Sequence, residues 1–335
     1  MKKLSFLGAS LISLVSFSQN LDETFKPDGD VQFKVFWNYH TDVSKNATQT
    51  SAFELERAYF GYQYAFNETI SARVTLDVGN NTAGSKYTAF LKFAQLDWQV
   101  APSVKLSMGV IGLQQFNDQE NFWGYRYVFK SFQDENGFGS SADLGINAAF
   151  KISENLKANF LIVNGEGFRN LQDEDGKHKV GASLVYTPIK GLITKIYGDS
   201  QPSADGAEAI TTFSLFTGYT YSKWKFGVEY NKLNNGEEFS TPAEDHNLNG
   251  MSFYTTYSIN NKIEVFGRFD QLSSNTLGGE VEAWNSAKDG NQIIAGIQYV
   301  PVKGLSLSLN YQGYSFSNSA IDNKSLLFLS TEFKL

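Results

Sequence analysis

The chain contains no cysteine. That excludes a disulfide framework, a thiolate metal centre, a cysteine nucleophile and a lipidated cysteine anchor. Proline is scarce at 6 residues, and 29 glycines among 335 residues leave no collagen-like or low-complexity character. Only three histidines occur, His40, His178 and His246, with no paired spacing that would hold a metal ion. The nearest approach to a serine–histidine hydrolase pair is His178 with Ser183. No nucleophile elbow, P-loop or dinucleotide fingerprint stands between a strand and a helix. An enzyme is therefore not expected, nor is a cofactor or metal. The formal charge of -7 carries no basic surplus for a phosphate backbone, so nucleic acid is not an expected partner.

Long apolar runs are also missing downstream of the first residues; none approaches the ~18 residues that a membrane helix requires. The exception is at the start. Met1-Lys2-Lys3 precedes an apolar run from Leu4 to Phe17, too short to span a bilayer, and Ser16-Phe17-Ser18 supplies small residues for cleavage. Residues 1–18 are expected to be a secretory signal. If residues 19–335 enter a membrane, they must then do so as a closed barrel, because only that architecture satisfies every strand N–H and C=O in lipid.

What the chain does have is aromatic residues, 28 Phe, 17 Tyr and 5 Trp, and alternation. Ile70, Ala72, Val74, Leu76 and Val78 interleave with Ser71, Arg73, Thr75 and Asp77. Leu305, Leu307, Leu309 and Tyr311 interleave with Ser306, Ser308, Asn310 and Gln312. A period of two marks a half-buried strand. About sixteen such segments can be counted, most of them near the length at which a tilted strand crosses a bilayer core. Tyr and Trp gather at the expected strand ends, among them Trp37, Tyr62, Trp98, Tyr186, Tyr221, Trp224 and Tyr299, as an interfacial girdle requires.

The connections alternate in length. Short turns fall around Asn67-Glu68, Pro102-Ser103, Glu154-Asn155, Ser222-Lys223 and Lys303-Gly304. Long polar loops are expected at Thr41–Thr50, Gly79–Lys86, Gln115–Ser141, Gly165–Lys177, Leu233–Gly250 and Ser273–Gly290, among others. Outer-membrane barrels have short periplasmic turns and long extracellular loops. A soluble sandwich or propeller would alternate in hydrophobicity but has no reason to alternate its loop lengths. The predicted fold is an all-β transmembrane antiparallel barrel of about 16 strands.

Phe53-Glu54-Leu55-Glu56-Arg57-Ala58-Tyr59-Phe60-Gly61-Tyr62, followed by a strand ending Leu76-Asp77-Val78-Gly79, resembles the second and third strands of the phosphate-selective porin O and P superfamily. Leu106–Gly112, Phe122–Tyr127 and Ser141–Gly145 are similar to its fourth to sixth strands. In that group Glu56 stands where a second Arg is usual. Phe333, two residues before the end, stands in place of a terminal aromatic. The resemblance implies a Gram-negative outer-membrane porin, in contact with lipid and lipopolysaccharide and often a homotrimer. Its expected work is passive diffusion of small hydrophilic solutes or ions. The alternative is a structural or interaction barrel with a closed lumen, binding surface partners through acidic loops such as Asp173-Glu174-Asp175.

The polar face names the candidate lumen residues: Glu56, Arg57, Arg73, Asp77, Asp97 and Arg268, with charges of both signs. The apolar parity of the second strand changes at Glu56-Arg57, which predicts a β-bulge that turns both charges inward as a pair. A similar slip is expected near Lys92-Phe93. The longest loop, 115–141, is rich in aromatics and is expected to fold inward as a constriction, bringing Arg126 or Lys130 to the narrowest point.

Overall fold

The computed structural model describes residues 27–45, 50–80, 87–203 and 207–335. The proposed signal, residues 1–18, lies outside them. Sixteen strands follow in chain order: β1 (Asp28–Asp42), β2 (Ser51–Ala65), β3 (Ile70–Asn80), β4 (Tyr87–Ala101), β5 (Val104–Gly112), β6 (Ala142–Lys151), β7 (Leu156–Val163), β8 (Lys179–Tyr186), β9 (Leu192–Gln201), β10 (Ile210–Tyr221), β11 (Trp224–Glu238), β12 (Thr241–Ser258), β13 (Ile263–Ser274), β14 (Gly290–Val302), β15 (Leu305–Phe316) and β16 (Lys324–Lys334). Two short helices, α1 (Asn117–Trp123) and α2 (Phe132–Glu135), interrupt the loop between β5 and β6.

Each strand pairs antiparallel with its sequence neighbours, and β1 pairs β16 in a register that sets Trp37 opposite Thr331, closing the barrel. Closure leaves no sheet edge exposed, the condition for a β-structure in lipid. Among the described residues no helix is long and apolar enough to cross a membrane. The strands do so instead. Their alternation sorts into an apolar exterior, exemplified by exposed Phe60, Ile146, Ile162, Phe226 and Ile293, and a polar interior, exemplified by buried Asn147, Ser183, Asn231, Ser252 and Asn310. Stacked aromatics such as Trp224 on Phe226 and Tyr219 on Tyr221 stand beside the turn at Ser222-Lys223, where the girdle was expected.

Both expected bulges are present. Phe36 pairs Arg57 while Trp37 pairs Leu55, so Glu56 is the extra residue. Thr75 pairs Phe93 while Leu76 pairs Leu91, so Lys92 is the extra residue in β4. A bulge frees one residue from the in–out alternation and re-aims its side chain.

One expected loop is absent. Residues 233–250 are strand for most of their length, since β11 runs to Glu238 and β12 begins at Thr241. Above the bilayer both faces of a hairpin meet water, so these strands continue without the apolar alternation by which a strand is recognised. Asn234, Asn235, Glu237, Glu244, Asp245 and His246 are the residues of that wet extension.

Candidate functional site

The interior is divided by residues 113–141. Their apolar residues pack inside the barrel: Trp123, Tyr125, Tyr127 and Val128 form one buried cluster with Phe36, Phe216, Tyr254, Phe266 and Ile294 of the wall. The Trp123 ring lies 5.6 Å from Tyr254 and 5.8 Å from Phe266, edge-on in both cases. Phe132 and Phe138 pack with Ile210, Leu233, Leu248 and Leu272 in a second cluster. The wall is cut back to receive them. A Cβ at Gly250 would stand 2.0 Å from the Phe132 ring, and one at Gly218 would stand 2.6 Å from Phe122.

Hydrogen bonds tie the loop mainly to one side of the barrel, with Arg126 reaching the other side at Glu56, 3.1 Å away. The Lys195 ammonium donates to the Gln114 carbonyl, to Asn117 at 3.2 Å and to Asp118 at 2.7 Å. Gln133 donates to Ser214 at 2.9 Å, Tyr125 to Glu264 at 2.8 Å and Tyr127 to Gln298 at 2.8 Å. Gln312 donates to the Val128 carbonyl at 3.1 Å. These anchors run from β9 to β15. Across the mouth, the tip of the β11–β12 hairpin adds a backbone bond from Phe239 to Gly137 at 2.9 Å. The open space lies along β1 to β5 and, toward the outer mouth, beneath the loop after β7 and the β11–β12 hairpin.

That space is two cavities. The outer one, about 340 Å³, is bounded by Arg57, Tyr59, Lys92, Arg126, Lys130 and Arg169 among others. The inner one, about 550 Å³, is bounded by Lys34, Tyr59, Arg73, Lys92, Glu120 and Arg126 among others. Tyr59, Lys92, Arg126, Asp134 and Ser141 border both, and this shared boundary is the neck of the lumen.

Two ion clusters of opposite composition meet at this neck. Asp77, fully buried, is surrounded by three cations: Arg57 at 3.1 Å, Arg169 at 3.3 Å and Lys92 at 3.9 Å. Arg126 is surrounded by three carboxylates: Glu56 at 3.1 Å, Glu120 at 3.4 Å and Asp134 at 3.4 Å. Aromatic rings line both. Lys92 lies 4.8 Å from the Tyr59 ring centroid, Arg126 lies 5.7 Å from that of Phe36, and the two rings meet edge-on at 5.9 Å. Burial pushes the Glu120 carboxyl above its ordinary range, opposed by Arg126 and reinforced by Asp134. Burial works against the Arg126 cation, but the carboxylates of Asp134, Glu120 and Glu56 outweigh it and hold the guanidinium protonated.

The sequence-derived residues fall into three groups. Arg57, Arg126 and Lys130 line the outer cavity, with Lys130 paired to Glu135 at 3.4 Å, and Glu56 lies behind Arg126, bonded to it at 3.1 Å. Glu56 and Arg57 both face inward but do not pair with each other; each takes a different partner across the bulge. Arg73 lines the inner cavity, bonded to Gln95 at 2.7 Å and lying 3.8 Å from the Phe93 ring centroid. Asp97 lies nearer the β4–β5 turn, 3.7 Å from Lys105.

Two residues do not line the passage as expected. Asp77 is a counter-ion beneath the cations rather than a surface that solute meets. Arg268 is 3% exposed, clamped to Asp270 at 2.6 Å and to the Lys130 carbonyl at 2.6 Å, and it lies 5.3 Å from the Trp123 ring centroid. Its work is to hold the loop, because the loop carbonyl occupies the face that would otherwise meet water. The pairing of His178 with Ser183 does not form: His178 is exposed, whereas Ser183 is buried in the wall and accepts from Asn159 at 3.3 Å. Tyr59, Lys92 and Arg169 were not singled out as site residues, although the expected slip at Lys92-Phe93 pointed toward one of them.

Residues 141–332 match the family model described as "beta-barrel porin-2, OmpL-like". No curated protein matches in sequence. Among solved structures, the fold is similar to the outer membrane channel DcaP of Acinetobacter baumannii (TM-score 0.69, 11% identity, 92% of this chain and 97% of that chain). It is similar to Salmonella typhi OmpF in complex with daunomycin (0.68, 12% identity, 92% and 97%). The anion-selective porin from Comamonas acidovorans also aligns (0.65, 12% identity, 92% and 100%). At these identities the likeness is one of fold.

Proposed function

Since the chain belongs to the OmpL-like β-barrel porins, we propose that it conducts small hydrophilic solutes and ions passively across the outer membrane through the passage along β1 to β5. The observation that carries this is the pair of cavities sharing Tyr59, Lys92, Arg126 and Asp134. Sixteen strands enclose an aqueous bore, the docked loop reduces it, and the charged ring at the neck acts as the selectivity element. Glu56, Arg57, Arg126 and Lys130 are its proposed constriction residues. Arg73 lines the inner vestibule and Asp97 stands toward its periplasmic exit. The chain performs no chemistry in this reading and needs no cofactor.

Preference for phosphate is not part of the proposal. The base-rich cluster around Asp77 is matched by an acid-rich cluster around Arg126, and a neck of both signs does not favour one ion sign strongly. The wording shared with the phosphate-selective group covers residues 53–79 and 106–145, whereas the family match begins at 141. A homotrimer embedded in lipid and lipopolysaccharide, exported by the N-terminal signal at residues 1–18, completes the reading.

The test is reconstitution in a planar bilayer. Stepwise, ohmic openings in potassium chloride are expected. A barrel that shifts on heating in a denaturing gel, as folded outer-membrane barrels do, yet passes no current would favour the closed-lumen reading.

A further inference from the structure

The two ion clusters at the neck are each unbalanced, and in opposite senses. One carboxylate, Asp77, cannot neutralise Arg57, Lys92 and Arg169, so that cluster keeps positive charge in excess. One guanidinium, Arg126, cannot neutralise Glu56, Glu120 and Asp134, so that cluster keeps negative charge in excess. Both clusters border the same space: Arg57, Lys92, Arg126, Asp134 and Arg169 line the outer cavity, Lys92, Glu120, Arg126 and Asp134 line the inner one, and Glu56 joins them through Arg126. The four cations and four carboxylates balance in number, but they are sorted into one basic and one acidic cluster rather than into neutral pairs.

The chain itself explains the arrangement. Glu56 and Arg57 are consecutive, and the bulge at Glu56 sends one to each cluster. The second bulge delivers Lys92 to the same neck. Arg169 arrives from the loop after β7 and lies 5.2 Å from the Phe168 ring centroid and 5.6 Å from that of Phe90. Between the clusters stand the Tyr59 and Phe36 rings, an apolar bridge with a charged group at either end.

A monopolar ion gains at one cluster and is repelled at the other. A solute carrying an ammonium and a carboxylate on a short frame gains at both. We propose that the neck selects small zwitterions, α-amino acids and short peptides, with the carboxylate met by Arg57, Lys92 and Arg169 and the ammonium by Glu56, Glu120 and Asp134. This rests on the porin reading above and gives it a solute class.

Osmotic swelling of proteoliposomes tests it with two uncharged-overall solutes of similar size, L-alanine and lactamide. Two weak ionic contacts favour alanine by roughly fivefold in swelling rate. Arg169→Gln removes a cation from a solvent-facing loop without touching a strand, and Glu56→Gln removes a carboxylate. Each is expected to bring the alanine-to-lactamide ratio toward unity. Equal rates in the native barrel with normal potassium chloride conductance overturn the inference alone, as does a preference that survives both substitutions. Absence of any conductance overturns the porin reading and the inference with it.

Discussion

Glu56 and Arg57 are neighbours in the chain, face the same lumen, and bond to opposite partners: Glu56 to Arg126 at 3.1 Å and Arg57 to Asp77 at 3.1 Å. In a regular strand one of them would face lipid. The bulge prevents this and gives the neck both signs of charge.

Replacing either residue shifts ion preference in a direction set by its cluster. Arg57→Gln weakens the positive side and should move the reversal potential in a salt gradient toward cation preference. Glu56→Gln should move it the opposite way. Equal and unchanged reversal potentials would remove both residues from the selectivity element.

Acid should act on the same balance. Burial raises the Glu120 carboxyl above the ordinary glutamate range, so it takes up a proton at a higher pH than exposed glutamates do. As pH falls through that raised range, the Arg126 cluster loses a negative charge and the neck becomes more positive. Cation permeability relative to anion permeability should fall on acidification before ordinary surface carboxylates titrate, and Glu120→Gln should flatten that early part of the curve.

Freeing the inner loop should widen the passage. Trp123 is 1% exposed and packs against Tyr254 and Phe266. Truncating a buried Trp to Ala costs about 3–5 kcal/mol, and here the cost falls on loop docking rather than on strand pairing. Trp123→Ala is expected to raise single-channel conductance and its noise while the barrel keeps its heat-modifiable migration. Deleting residues 122–130 should raise conductance further.

The wall side of the same contact can be tested separately. A side chain at Gly250 would collide with Phe132, whose ring would stand 2.0 Å from the new Cβ. Overpacking costs typically ~1–3 kcal/mol. Gly250→Val should dislodge α2, lower the melting temperature modestly and increase protease cleavage between residues 131 and 138.

Much of this was legible in the chain. Apolar and polar residues alternate wherever one face meets lipid, so the strands that cross the bilayer are visible one by one. The parity break at Glu56-Arg57 revealed a bulge before any contact was known. Legibility stops where the lipid stops: β11 and β12 extend into water, both faces turn polar, and Leu233–Gly250 reads as a loop. The inner loop could be recognised by its length and its rings. What it would touch could not be recognised, because the meeting of Arg169 with Asp77 spans 92 positions and is decided by barrel curvature. Arg268 was misread for a related reason. Its inward parity was correct, but whether an inward side chain meets solvent or another segment is settled only by where that segment lies.

The seats of the inner loop have a consequence for assembly order. Lys195, Ser214, Glu264, Gln298 and Gln312 all come later in the chain than the segment they hold. During synthesis from the N-terminus that segment is made first and its berth last. A nascent chain ending before β13 would lack the seats at Glu264, Gln298 and Gln312, so the final lodging of the loop waits on the last strands to arrive.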